Sequence, residues 1–237
     1  MQKNLNTLNH LSFKKVLFSF EEVEENLKNL ISNGQKEMLI TLNTEMFMDS
    51  IKDREFREIV SNSTVILDSV GICYLFSKKN GIKVSPLNGI EVAEKIIEKG
   101  YRTFIVGSKK ENIVKAVNNL KQKYPQSNIV GFHDGYFESS EPLIQQINRL
   151  EPEVLLVGMG SPKQERWIYQ NMNALKFNLG IGIGGSIDVW AGVFKRAPFI
   201  IRKMGLEWMY RFATDLKRIP RITKIIKFTL MAVTGRI

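Results

Sequence analysis

Cysteine is nearly absent. The 237-residue chain has one, Cys73, which excludes an intramolecular disulfide and points to a reducing compartment. It lies in the apolar stretch Gly71-Ile-Cys-Tyr-Leu-Phe76, where a buried thiol is the ordinary reading and a nucleophile is not. Histidine is scarce too, at two residues, and no His, Cys, Asp and Glu stand at metal-site spacing. No D-x-D pair is present to hold a divalent ion on a nucleotide diphosphate. The first thirty residues have no unbroken apolar segment of the signal-peptide kind, and Glu21, Glu22, Glu24 and Glu25 add charge where such a segment would need none. Nor is there a run of about 18 apolar residues to cross a bilayer. The expectation is a cytoplasmic protein whose membrane contact is peripheral. Internal repeats and low-complexity segments are missing as well. No G-x-G-x-x-G fingerprint follows a first strand, which counts against a nicotinamide-dependent oxidoreductase.

What the chain does have is charge, unevenly placed. Residues 195–237 hold eleven Lys/Arg against Glu207 and Asp215, and so carry +9 of the net +10. Residues 1–194 are close to neutral. With 43% hydrophobic and 24% charged residues the composition is that of a globular protein. This predicts a core domain over 1–194 and a basic appendage over 195–237, suited to an anionic surface or substrate. In the appendage Leu206, Trp208, Met209, Phe212, Ile222, Ile226, Phe228 and Leu230 interleave with cations. A basic amphipathic segment of this kind reads as membrane-surface binding. A docked helix with a solvated basic face is the plain alternative. Nucleic acid ranks below both, because no recognised nucleic-acid module accompanies the charge. Helices are predicted at about 198–218 and 221–232, split at Pro220.

Upstream, short apolar runs at 38–42, 64–68, 102–106, 128–132, 153–157 and 177–181 read as strands. Helix-period segments at about 19–33, 44–60, 70–79, 88–99, 109–124, 141–150 and 163–174 alternate with them. That alternation predicts a Rossmann-like α/β fold: a mostly parallel sheet flanked by helices, with right-handed crossovers. Ligands of such sheets sit beyond the carboxyl ends of the strands. Polar and glycine residues gather at those ends here.

Asp68 closes the second run. It suits a general base that takes a proton from an attacking hydroxyl. On local grounds, an N-cap for the helix near Val70 is the better reading. Thr41 and Asn43 offer neutral groups for sugar hydroxyls or phosphate oxygens, or a helix cap. After the fifth run, Gly158 and Gly160 shape a turn, and Lys163, Gln164 and Arg166 ride on the next helix. After the sixth, Gly184 and Gly185 belong to a glycine-rich turn whose N–H groups can approach a phosphate, or which merely turns the chain. His133, before Asp134-Gly135, reads as a turn residue.

Taken in order, these segments resemble the WecG/TagA/CpsF glycosyltransferases of bacterial surface-polymer synthesis. The resemblance covers about residues 10–225. It is carried by Thr41-Leu-Asn-Thr-Glu45, Ile66-Leu-Asp-Ser-Val-Gly-Ile72, Gly131-Phe-His-Asp-Gly-Tyr-Phe137 and Val157-Gly-Met-Gly-Ser-Pro-Lys-Gln-Glu165. Gly182-Ile-Gly-Gly-Ser-Ile-Asp188, Lys195-Arg-Ala-Pro198 and Gly205-Leu-Glu-Trp-Met-Tyr-Arg211 complete it. The resemblance implies inverting, metal-independent transfer of an N-acetylmannosamine-type sugar from a UDP-sugar to a polyprenyl-diphosphate-linked sugar, with no cofactor. It implies Asp68 as base with Thr41 and Asn43 beside it, and Gln164 and Asp188 at the sugar nucleotide. Arg211, Arg218 and Arg221 would close over the diphosphate, and the appendage would bring the enzyme to the membrane. Homo-oligomer formation is left open. The chain has Ser69 where the family usually has Gly, and Pro86, Asn88 and Glu91 where it has Arg, Thr and Asp. A sugar-nucleotide-binding or regulatory relative is therefore the second reading.

Overall fold

The apolar runs assemble into one seven-stranded sheet in which every neighbouring pair is parallel. The computed structural model describes residues 6–198, 201 and 219–237. A small antiparallel hairpin, β1 (Thr7–Leu8) with β2 (Leu11–Ser12), precedes the sheet. Then come β3 (Lys15–Leu17), α1 (Phe20–Ser32), β4 (Glu37–Leu42), α2 (Thr44–Lys52), α3 (Arg54–Ser61), β5 (Thr64–Leu67), α4 (Val70–Asn80) and α5 (Gly89–Glu98). The second half runs β6 (Thr103–Gly107), α6 (Lys110–Lys123), β7 (Ile129–His133), α7 (Ser140–Leu150), β8 (Val154–Gly158), α8 (Lys163–Gln170), β9 (Leu179–Gly182) and α9 (Ser186–Trp190). The last described helix is α10 (Ile219–Val233).

All six expected strands are present, each within two residues of its predicted bounds. Their unbroken apolar character follows from helices on both faces. Every residue of β4, β5, β6, β8 and β9 is buried. Ile40, Leu42, Val65, Leu67, Val106 and Val157 point into one core, while Leu39, Ile66, Ile105, Leu156 and Ile181 point into the other. Each such side chain contributes roughly 1.5–3 kcal/mol relative to exposure.

Two expectations change. The single helix at 44–60 is two helices, because Asp53 takes extended backbone and its carboxylate accepts the Phe56 N–H at 3.0 Å, capping α3. An Asp side chain competes with the helix ladder in this way wherever its geometry allows. The helix expected at 221–232 takes in Ile219 and Pro220, so Pro220 lies inside α10 rather than ahead of it. Apart from residues 198 and 201, the helix expected at 198–218 falls outside the described residues.

The C-terminal helix is docked. Phe228 is 3% exposed, meets Phe47 edge-on at 5.7 Å, and lies over Gly71, where a Cβ would come within 3.1 Å of its ring. Lys224 pairs with Asp49 of α2 at 2.6 Å. This holds α10 against α2 and the start of α4, beside the carboxyl ends of β4 and β5.

Cys73 is buried, with its thiol 3.7 Å from the Leu67 carbonyl. Burial, with the Asp68 carboxylate adding to it, pushes this thiol up to about 12. Cys73 should therefore resist iodoacetamide at pH 8 in the native protein and react at once in guanidinium, as read by intact mass. Rapid native alkylation would contradict the packing.

Candidate active site

The strands lie in the order β3-β5-β4-β9-β8-β6-β7. After β4 the chain moves outward to β5, whereas after β9 it turns the other way, into α9, which packs on α6. The gap between β4 and β9 is thus the topological switch point, the place beyond the strand ends where sheets of this kind hold their ligands.

On one side stands Asp68, directly after β5. Its backbone N–H bonds to the Leu42 carbonyl at 2.8 Å, and its Oδ1 accepts the Gly89 N–H at 3.1 Å. Asp68 does not cap α4. Ser69 does, accepting the Ile72 N–H. The carboxylate is thereby released from the role that competed with a chemical one, and it is only partly buried. Gly89 opens α5 and packs against Thr41, since a Cβ there would lie 2.6 Å from the Thr41 methyl. Thr41 is 7% exposed and donates its hydroxyl to the Gly182 carbonyl at 3.1 Å, bridging β4 to β9. Asn43 caps α2, its Oδ1 accepting the Met46 N–H at 3.0 Å. Asp68, Thr41 and Asn43 therefore form one cluster around Gly89 and the end of β4.

Across the gap, Gln164 is 2% exposed at the start of α8. Its Oε1 accepts the N–H groups of Gly160 at 3.1 Å and Gly184 at 3.0 Å, joining the β8–α8 and β9–α9 turns. Two of the glycine amides are accordingly engaged by a side chain. Gly158 abuts the second turn, where a Cβ would meet the Gly184 carbonyl at 2.8 Å. Gly185 precedes α9 as its N-cap residue, and Lys163 is exposed at the start of α8. Gly180, Gly182 and Gly185 stand at G-x-G-x-x-G spacing, but the first two lie within β9 and the helix after them has five residues. Arg166 turns away from the crevice and pairs with Asp53 and Glu55.

Asp188, on α9, is held by the third loop at this edge. Its Oδ1 accepts the Ser108 hydroxyl and the Asn112 amide, the latter at 2.9 Å. Ser108 has φ 58°, a left-handed conformation uncommon for a residue with a Cβ. His133 is not a turn residue but the last residue of β7, its Nδ1 2.8 Å from the Asp134 carbonyl oxygen. Arg211 and Arg218 lie outside the described residues. Arg221 falls in α10, with its side chain outside them.

Gly89, Ser108, Asn112 and Glu165 do not stand out as site residues in the sequence. Gly89 had a visible signal, a glycine opening a helix after an Asn. Ser108 had position alone, as a polar residue directly after a strand, and Asn112 had no signal, because an asparagine in a helix's first turn looks solvated. Arg196 bonds Glu91 of α5 at 2.6 Å.

The description "Glycosyl transferase WecG/TagA/CpsF family" matches residues 8–237. The chain is similar to N-acetylglucosaminyldiphosphoundecaprenol N-acetyl-beta-D-mannosaminyltransferase of Bacillus subtilis (strain 168), at 32% identity over 208 residues, 86% of this chain and 81% of the relative. It is also similar to the protein of that name from Staphylococcus aureus (strain NCTC 8325 / PS 47), at 30% identity over 212 residues, 86% of this chain and 83% of the relative. The α/β sheet, the polar strand ends around one crevice and a match running nearly the length of the chain lead to one assignment: this protein is a glycosyltransferase belonging to the WecG/TagA/CpsF family.

Proposed function

We propose that the protein transfers an N-acetylmannosamine-type sugar, or a related hexose, from a UDP-sugar to a polyprenyl-diphosphate-linked sugar. The product serves a surface polymer such as teichoic acid, capsule or exopolysaccharide. The reading is supported by the named activity of the relatives. The observation that carries it is Asp68, which stands at the crevice relieved of capping by Ser69 and steadied by the Gly89 N–H.

In the reaction, Asp68 accepts the proton of the acceptor hydroxyl as that oxygen bonds to the anomeric carbon. The bond from that carbon to the diphosphate breaks on the opposite side, inverting the centre and releasing UDP. Thr41 and Asn43 line the acceptor side. Gln164 and Asp188 shape the donor side, with Gly158, Gly160, Gly184, Gly185 and Lys163 around the nucleotide. Charge building on the leaving diphosphate calls for cations, and guanidinium groups match phosphate in geometry. Arg211, Arg218 and Arg221 of the appendage, residues 195–237, are assigned that role.

A lipid-borne acceptor calls for an enzyme at the inner surface of the cell membrane. None of the described helices is long and apolar enough to cross a bilayer. On α10, however, Ile226, Leu230 and Val233 are 54%, 60% and 78% exposed, at helix spacing that puts them on one face. Val70 and Tyr74 are exposed on α4, the helix over which Phe228 packs. These residues form the proposed docking face.

The test is direct. Purified protein is incubated with UDP-N-acetylmannosamine and a short-chain N-acetylglucosaminyl polyprenyl diphosphate. The lipid product should gain one N-acetylhexosamine residue by mass. No gain with this donor or with a panel of other UDP-sugars would overturn the reading.

A further inference from the structure

We propose that Glu165 is a positioning residue: it locks the Gln164 carboxamide in the single orientation that ties the two glycine turns of the crevice together. The two ends of a carboxamide have nearly the same shape, and only their polarity differs. Here Gln164 Nε2 donates to Glu165 Oε1 at 2.6 Å, while its Oε1 accepts from Gly160 and Gly184. A flipped amide would aim its NH2 at two N–H donors and its oxygen at a carboxyl oxygen. Glu165 makes that flip costly, so the acceptor always faces the turns.

The surroundings agree. Both side chains lie over Gly182, where a Cβ would sit 2.5 Å from Gln164 Nε2 and 2.7 Å from Glu165 Oε1. A side chain at 182 would displace the pair, so glycine there makes room for the lock. Glu165 is 1% exposed, and among the described residues its Oε2 finds no hydrogen-bond partner. Burial pushes its carboxyl up from the ordinary range, against the pull of the Gln164 amide, its own backbone N–H and the Ser161 hydroxyl. A buried acid with one oxygen unpartnered is a poor device for stability, where an apolar side chain of similar volume does as well or better. Its use is orientation.

The consequence for turnover rests on the glycosyltransferase reading. The geometry of the lock does not. The experiment compares Glu165→Gln, which keeps the acceptor for Gln164, with Glu165→Leu, which removes it. By hydrogen exchange, the Gly160 and Gly184 amides should be slow in the wild type and in Glu165→Gln. In Glu165→Leu they should exchange about tenfold faster. Turnover should fall about tenfold in Glu165→Leu, stay within about threefold of wild type in Glu165→Gln, and do so without loss of thermal midpoint in either. Should Glu165→Leu fail to fold, Glu165→Met fills the same space with a more adaptable chain.

Unchanged Gly160 and Gly184 exchange in the apolar variant, or equal damage from Glu165→Gln, overturns the lock. Accelerated exchange with unaltered turnover overturns its positioning role. The exchange arm is read whatever substrate the protein uses, so a wrong substrate assignment is told apart from a wrong lock.

Discussion

Replacing Asp68 by Asn should lower turnover about 10³-fold while leaving the fold and UDP affinity intact. The size follows from removal of a general base, which contributes about 10²–10⁴-fold. Selectivity follows from the local bonds. Asn keeps a side-chain oxygen for the Gly89 N–H and keeps the backbone bond to Leu42, so the cluster around Thr41 stays in register. What it loses is the capacity to take a proton. Ser69→Ala is the matched control. It removes the α4 cap, costs about 1 kcal/mol of stability, and should leave turnover near wild type. Turnover rates of Asp68→Asn and wild type with the same lipid acceptor decide the matter. Equal rates would remove Asp68 from the chemistry.

The second large effect concerns α10. Ile226→Glu with Leu230→Glu should reduce partition onto anionic vesicles about 100-fold or more, because two apolar side chains lose burial worth roughly 1.5–3 kcal/mol each. The thermal midpoint should not change, since both residues are exposed. Phe228→Ala should behave in the opposite way. It is buried against Phe47 and Gly71, so its loss should cost about 3–5 kcal/mol of stability. Truncation after Pro198 removes the inner and outer faces together and cannot separate docking from folding. The paired variants can, in a vesicle co-sedimentation assay run beside a melting curve. Undiminished binding by the double Glu variant would move the docking face elsewhere.

Much of this architecture is legible in the chain because a buried parallel strand has no polar face. Runs such as 38–42 and 153–157 therefore stand out without ambiguity. β3 is not legible, being three residues long and opening on Lys15, and the β1–β2 hairpin has two-residue strands. Asp68-Ser69 shows a different limit. Both residues cap helices well, so composition cannot say which one does, and the answer decides whether the carboxylate faces the crevice. The glycine turns show a third. In the sequence, the glycine-rich turn at Gly184 and Gly185 reads equally as an approach to a phosphate or as a plain turn of the chain. In the fold Gly182 makes room for Gln164 and Glu165, and the Gly184 N–H bonds to Gln164. A Lys-Gln-Glu-Arg helix start looks solvated as a string of letters, yet its middle two residues are among the most buried polar groups of the protein.

The proposed function depends on one crevice between β4 and β9 holding the nucleotide within reach of the Asp68 carboxylate. A crystal structure with UDP bound measures this most directly. The diphosphate is expected beyond the strand ends at that gap, flanked by the Gln164-bound turns and Asp188, with the space for the sugar opening toward Asp68. UDP bound at any other edge of the sheet, with Asp68 facing no ligand, would contradict it.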